Sequence, residues 1–303
     1  MVSPLPVAVL TLDPIPDIQQ LTAYPFMVSA LEAGTIVAIL AGIAGWFMVL
    51  RRETFAGHTL SVMAFPGASG ALLIGLPAAA GYFLFAGGAA LAIGLASARA
   101  GRHRGEESAV TGAVQAFGLA CGFVFLSLYQ GVLAGYENLL FGSFFGITRG
   151  QVLTLAIVAV LTLAFFAVAG RPLLFASVDE PVARSSGVPV RRLSTGFLLV
   201  LGLAVAATAQ ITGVLLVFAL LVAPPATAQL ITRRIGASLA LSAALGIVIT
   251  WVGLALAYFS NYPVGFYITT IAFAVYVTAR VVRAVIDHPT LLRRRPRLTE
   301  ARA

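Results

Sequence analysis

Charged side chains come in short bursts along this chain, separated by apolar runs. A helix needs about 20 apolar residues to cross a bilayer, and nine runs approach or reach that length: 26–50, 59–76, 78–98, 109–134, 151–170, 194–210, 213–232, 237–260 and 264–284. The second and sixth are short, which suggests little tilt, a broken helix or a partial lining by protein. The pattern predicts an all-α polytopic bundle over residues 25–284, preceded by a segment 1–24 outside the membrane and followed by an Arg-rich tail, 285–303. Frequent small residues, among them Gly42, Gly45, Gly67 and Gly70, suit close helix packing, and no long-period repeat is evident.

Composition agrees: 60% of the 303 residues are apolar, 10% are charged, and the mean hydropathy is +0.99. These values describe a membrane protein rather than a soluble domain. No basic region opens the chain, because residues 1–24 carry Asp13 and Asp17 but no Arg, so a cleaved signal peptide is not expected. Every basic residue is Arg. Without Lys the chain has no G-x-x-x-x-G-K-[ST] loop, and any ATP it depends on must be hydrolysed by another chain. The single Cys121 sits in an apolar run and offers neither a disulfide framework nor a cysteine metal site.

The net charge of +8 does not point to nucleic acid, because the Arg residues cluster between apolar runs. Eighteen of the nineteen fall on alternate connections, and only Arg149 falls on the other set. By the positive-inside rule the N-terminus is expected outside and the C-terminus in the cytoplasm. The longest internal cytoplasmic connection, 171–193, contains SVDEPVARSSGVPVRR. Asp179 suits an N-cap, Glu180 and Pro181 a first helical turn, and Gly187 the residue that ends a helix, so a short helix at the membrane surface is expected. On the opposite side, 135–151 (GYENLLFGSFFGITRGQ) is too short to span and reads as a re-entrant or interfacial segment.

Polar residues within spans are few, and their burial cost makes each a candidate. Glu32 lies in the outer part of the first run, where it could also reach the interface. His58 opens the second run, with Ser61 and Val62 on the same helical face; a lone imidazole can ligate a metal or simply be hydrogen-bonded. Met63 reads as packing, while His103 and His288 lie in charged surroundings and carry no assignment. Gln210, Thr212, Glu137, Asn138 and Asn261 fall at expected outer ends. Pro224 and Pro225 remove backbone donors within the seventh run, which predicts a kink useful for gating or packing. No catalytic pair or triad is present. The residues alone thus indicate a transport protein and leave open a gradient-driven carrier relying on Glu32.

Three stretches carry a resemblance. Residues 25–75, 176–193 (ASVDEPVARSSGVPVRRL) and 212–234 (TGVLLVFALLVAPPATAQLITRR) are similar to the membrane subunit of bacterial ATP-binding-cassette importers for zinc, manganese or iron. The resemblance covers most of residues 25–280. It implies a multi-pass permease of the bacterial inner membrane that binds no permanent cofactor and acts as a homodimer. It also implies a cytoplasmic ATPase partner and an extracytoplasmic solute-binding protein. The family's coupling helix corresponds here to Asp179–Val188, including Glu180, Pro181, Ala183, Arg184 and Gly187. One departure bears on cargo: where the family reads G-D-A-L-S-H-A-V-L-P-G, this chain reads GHTLSVMAFPG (57–67), so its Asp-x-x-x-His pair becomes His58 and Val62. His58, with Ser61 or Glu32, is the remaining candidate ligand, and the imidazole alone ranks zinc ahead of manganese.

Overall fold

The computed structural model describes residues 14–100, 104–129, 142, 144–260 and 262–287, and all regular structure in them is helical. Eleven α-helices follow in order: α1 (Pro14–Ala23), α2 (Pro25–Arg51), α3 (Thr54–Val62), α4 (Ala64–Leu73), α5 (Ala78–Ala100), α6 (Arg104–Leu128), α7 (Arg149–Val178), α8 (Glu180–Ser185), α9 (Val190–Ile231), α10 (Ile235–Tyr258) and α11 (Val264–Asp287). Seven of the segments are long and apolar enough to cross a membrane: α2, α5, α6, α7, the first part of α9, α10 and α11. The protein is therefore a membrane protein. Glu137, Asn138, Asn261, His103 and His288 lie outside the described residues, as do 135–141 and 143 of the stretch 135–151.

Local chemistry sets the helix ends. Pro25 opens α2, where the missing N–H costs nothing, and Arg52 closes it in the left-handed region at φ 61°. At α7, Thr148 and Gln151 form a reciprocal capping box. The run read as 59–76 begins earlier, at Thr54, and is divided at Met63. There the ladder continues through Met63 N–H to Thr59 O and Gly67 N–H to Met63 O, while Pro66 has no N–H for the Val62 carbonyl. From Thr54 to Leu73 the rod is still about 30 Å long at 1.5 Å per residue.

The runs read as 194–210 and 213–232 join in α9 across one non-helical residue, Gly213 (φ 74°, ψ 164°). Two contacts show that the chain reverses there. Ser194, before the break, is hydrogen-bonded to Arg51, and Gln229, after it, donates to Trp46 O at 2.9 Å; Arg51 and Trp46 are both at one end of α2. The break packs against Gly142, whose own φ is 76°. Pro224 and Pro225 lie in the helical part after the break, and the non-helical backbone within α9 is at Gly213 rather than at the prolines.

Cross-helix hydrogen bonds fix the order of α10 against α2. Trp46 Nε1 donates to Ser238 Oγ (2.8 Å), Ser242 Oγ to Gly42 O (2.8 Å), and Trp251 Nε1 to Thr35 Oγ1 (2.9 Å), while the Tyr258 and Tyr24 rings meet at a tilt, centroids 6.4 Å apart. These helices are antiparallel. By contrast α3/α4 runs parallel to α6, since Thr59 meets Gln115, Met63 lies at Gly118 and Phe65 at Gly122. In the centre, α2 and the first half of α9 bury 67% and 78% of their most apolar windows, against 11% for α11 at the periphery. Polar hydroxyls and close backbone contacts, not apolar contrast alone, position such helices in lipid.

Candidate functional site

Between α7 and α9, at the Arg51 end of the bundle, α8 forms as its sequence requires. Asp179 is extended and its carboxylate accepts from Val182 N–H at 3.1 Å; Pro181 occupies the first turn. Gly187, at φ 82°, ends the turn, with its N–H donating to Arg184 O and that of Val188 to Ala183 O. Glu180 and Arg184 pair one turn apart on the exposed side. Ala183 is fully buried against Ala176, Val188 and Val190, which seats α8 on the bundle. Its outer side remains open at Val182, which is 47% exposed, and Val178, the last residue of α7, is 76% exposed just before it.

A cavity of about 840 Å³ opens beside α8. Its walls include Asp179, Glu180, Arg184 and Arg191 on one side and Arg52, Glu53, Phe55, Ser108 and Thr111 on the other. The Arg51–Glu53 ion pair (2.7 Å) lies in its wall, with side-chain exposures of 9% and 14%.

His58 sits early in α3 with its ring edge-on to Phe218 of α9, centroids 4.7 Å apart. Its Nδ1 is buried and without a hydrogen-bond partner. A buried polar atom left this way costs about 1–3 kcal/mol, and a lone pair facing a cation would offset it. Ser61 is buried and spends its hydroxyl on Gly57 O at 3.0 Å. Glu32 is exposed on α2, about 28 Å along the helix from Arg51 at 1.5 Å per residue. His58 is only one turn into α3 from that same end, so the structure does not bring Glu32 and His58 together. Among the described residues no group of three His, Cys, Asp or Glu side chains is placed to hold a metal.

Sequence reasoning missed the Arg51 contacts and the Thr59–Gln115 hydrogen bond of 3.0 Å, whereas a reversal between the runs 194–210 and 213–232 was expected. A glycine flanked by two apolar runs was the available signal for Gly213. Arg51 gave none beyond its topogenic charge, because its partners are far away in sequence.

A helical membrane bundle with a capped surface helix is an architecture suited to a transport permease. The ABC 3 transport family model matches residues 23–283, and the chain belongs to that family. It is 30% identical to the manganese transport system membrane protein MntC of Halalkalibacterium halodurans over 241 residues, 80% of each chain. It is also 30% identical to the chelated iron transport system membrane protein YfeC of Yersinia pestis, over 84% of this chain and 86% of that one. Among solved structures, PsaBC from Streptococcus pneumoniae in complex with Fab superposes with a TM-score of 0.76 at 26% identity, covering 88% of this chain and 94% of that one. The protein is thus a permease subunit and not itself an enzyme. This membership disfavours the gradient-driven carrier that the isolated residues had left open.

Proposed function

We propose that this chain is the permease of an importer that carries a divalent first-row transition metal across a bacterial plasma membrane. ATP is hydrolysed by a separate cytoplasmic ATPase that grips α8, and an extracytoplasmic solute-binding protein delivers the metal. The permease works as a homodimer in nine crossings, with α3/α4 and the second half of α9 as the two short ones, the N-terminus outside and the C-terminus inside. The antiparallel pairing of α2 with α10, the parallel pairing of α3/α4 with α6, the reversal at Gly213 and the gathering of Arg residues on one set of connections support that topology.

The observation that carries the reading is α8: a short helix capped by Asp179 and stopped by Gly187, seated by Ala183, with Val182 exposed on it and Val178 exposed just before it, in a chain of the ABC 3 transport family. Two exposed apolar side chains beside Glu180 and Arg184 fit a cleft in a partner better than they fit water.

His58 is the pathway ligand, supported by its orphaned Nδ1. As cargo, manganese and iron come first, because these are the metals named in the relatives' descriptions. Zinc, which the imidazole alone ranks first, follows them. Ser61 is committed to Gly57 and contributes packing; Glu32 stands apart from the path. Pro224 and Pro225 leave the second half of α9 with weakened backbone bonding beside α2, where gating would act.

The test is metal uptake by proteoliposomes containing the permease, its ATPase and its binding protein. Gly187→Val should leave basal ATP hydrolysis and abolish most uptake, whereas uptake at the unaltered rate would remove α8 from the mechanism.

A further inference from the structure

Arg51 makes several directed polar contacts, and they reach three separate elements. Its Nε donates to Glu53 Oε1 at 2.9 Å and its Nη1 to Ser177 Oγ at 3.3 Å. Nη2 donates to Ser194 Oγ at 2.8 Å and pairs with Glu53 at 2.7 Å, while the guanidinium plane lies 5.1 Å from the Phe197 ring centroid. Ser177 is in the last turn of α7, just before Asp179 caps α8, and Ser194 is the fifth residue of α9, the helix that follows α8. Glu53 is the residue that begins α3, the helix of His58.

We propose that Arg51 is a positioning residue that ties both flanks of α8 to the foot of α3, so that displacement of the coupling helix is passed to the helix bearing His58. The proposal rests on the reading of α8 as the element that receives force from the ATPase.

Three features favour a mechanical link over a mere anchor. A buried ion pair is by itself weak evidence for stability, since desolvation takes back most of its attraction. Here, however, the guanidinium's spare donors are not turned to backbone carbonyls of its own helix; they are divided between the two segments that flank α8. Only a planar fork with several fixed donors can do this, and a Lys at the same place could not. The foot of α3 is also held to the same corner by packing, because Gly57 lies so close to Met48 that a Cβ there would fall 2.1 Å from its sulfur. With Arg52 in the left-handed conformation closing a two-residue turn, α3 has little freedom to move apart from Arg51.

The test keeps the buried pair and removes only the link. Ser177→Ala with Ser194→Ala leaves Arg51 and Glu53 intact. Permease, ATPase and binding protein are reconstituted together, and manganese imported per ATP hydrolysed is measured. A nitroxide is placed at position 55 in α3 (Phe55→Cys) or at 185 in α8 (Ser185→Cys), in separate samples lacking Cys121, and its spectrum is recorded before and after nucleotide trapping. In the parent chain both labels respond. In the double variant the proposal expects the α8 label to respond, the α3 label to fall silent, and metal per ATP to drop by at least about tenfold, the factor matching one of the two charge-assisted hydrogen bonds removed. Arg51→Lys should behave alike, with unchanged co-purification of the ATPase. Equal response of the α3 label in both chains, with unchanged metal per ATP, overturns the link while leaving α8 as the coupling helix. An α8 label that is silent in the parent chain overturns the coupling reading and the proposal with it.

Discussion

Gly45 of α2 lies directly against the carbonyl oxygen of Leu221 in α9: a Cβ on Gly45 would come within 2.1 Å of that oxygen and 3.0 Å of the Pro225 ring. The relationship has a cause in the sequence. Pro225 has no N–H, so the Leu221 carbonyl one turn earlier loses its helical donor, and only a glycine lets a neighbouring backbone approach closely enough to shield it with a Cα–H contact. Gly45→Ala should therefore push α2 off the second half of α9 and cost about 1–3 kcal/mol by overpacking. Thermal unfolding of the detergent-purified protein should show a lower midpoint, and an unchanged midpoint would mean that the two helices are not so closely apposed.

Two glycines with positive φ should respond differently. Gly213 (φ 74°, ψ 164°) occupies a region almost closed to other residues, and it makes the reversal in α9. Gly187 (φ 82°) has nothing within 4 Å of a built Cβ. Gly213→Ala should reduce folded yield severely, as read by monodisperse protein after extraction. Gly187→Asn, by contrast, should retain both fold and uptake, because Asn tolerates the left-handed region.

The Asp179 carboxylate is needed as an acceptor for Val182 N–H. Asp179→Ala should destabilise α8 by about 1 kcal/mol and weaken ATPase co-purification, while Asp179→Asn or Asp179→Ser should restore it. Equal co-purification with Ala and Asn would show that the cap does not matter to docking.

Much of this was legible in the chain and some could not be. Apolar runs located the long helices because lipid demands continuous apolar length, and the capping chemistry of α8 is local, so Asp179 and Gly187 could be read directly. Arg51 was legible only as a charge: Ser177 and Ser194 are 126 and 143 positions away, and no local rule pairs them. The separation of Glu32 from His58 was likewise hidden, since depth in the bundle depends on which helices run antiparallel. The division of the second run at Met63 was foreshadowed by Pro66, and the join at Gly213 by the two residues left between neighbouring runs.

Positions 58 and 62 lie one turn apart on α3, so the family's carboxylate–imidazole pair can be rebuilt. His58→Asp with Val62→His should bind manganese more tightly than the parent chain does, because a hard carboxylate oxygen suits that ion better than imidazole alone. Uptake at graded metal concentrations reports the change as a lower half-saturation for manganese.

The most direct test of the account is ATP-dependent uptake of radioactive manganese and iron by proteoliposomes containing the permease with its ATPase and binding protein, with the parent chain compared against His58→Ala. The account predicts accumulation that requires ATP and falls at least about tenfold in the variant, as expected when one metal ligand is lost. Accumulation that proceeds without ATP, or no accumulation of any divalent transition metal, would contradict it.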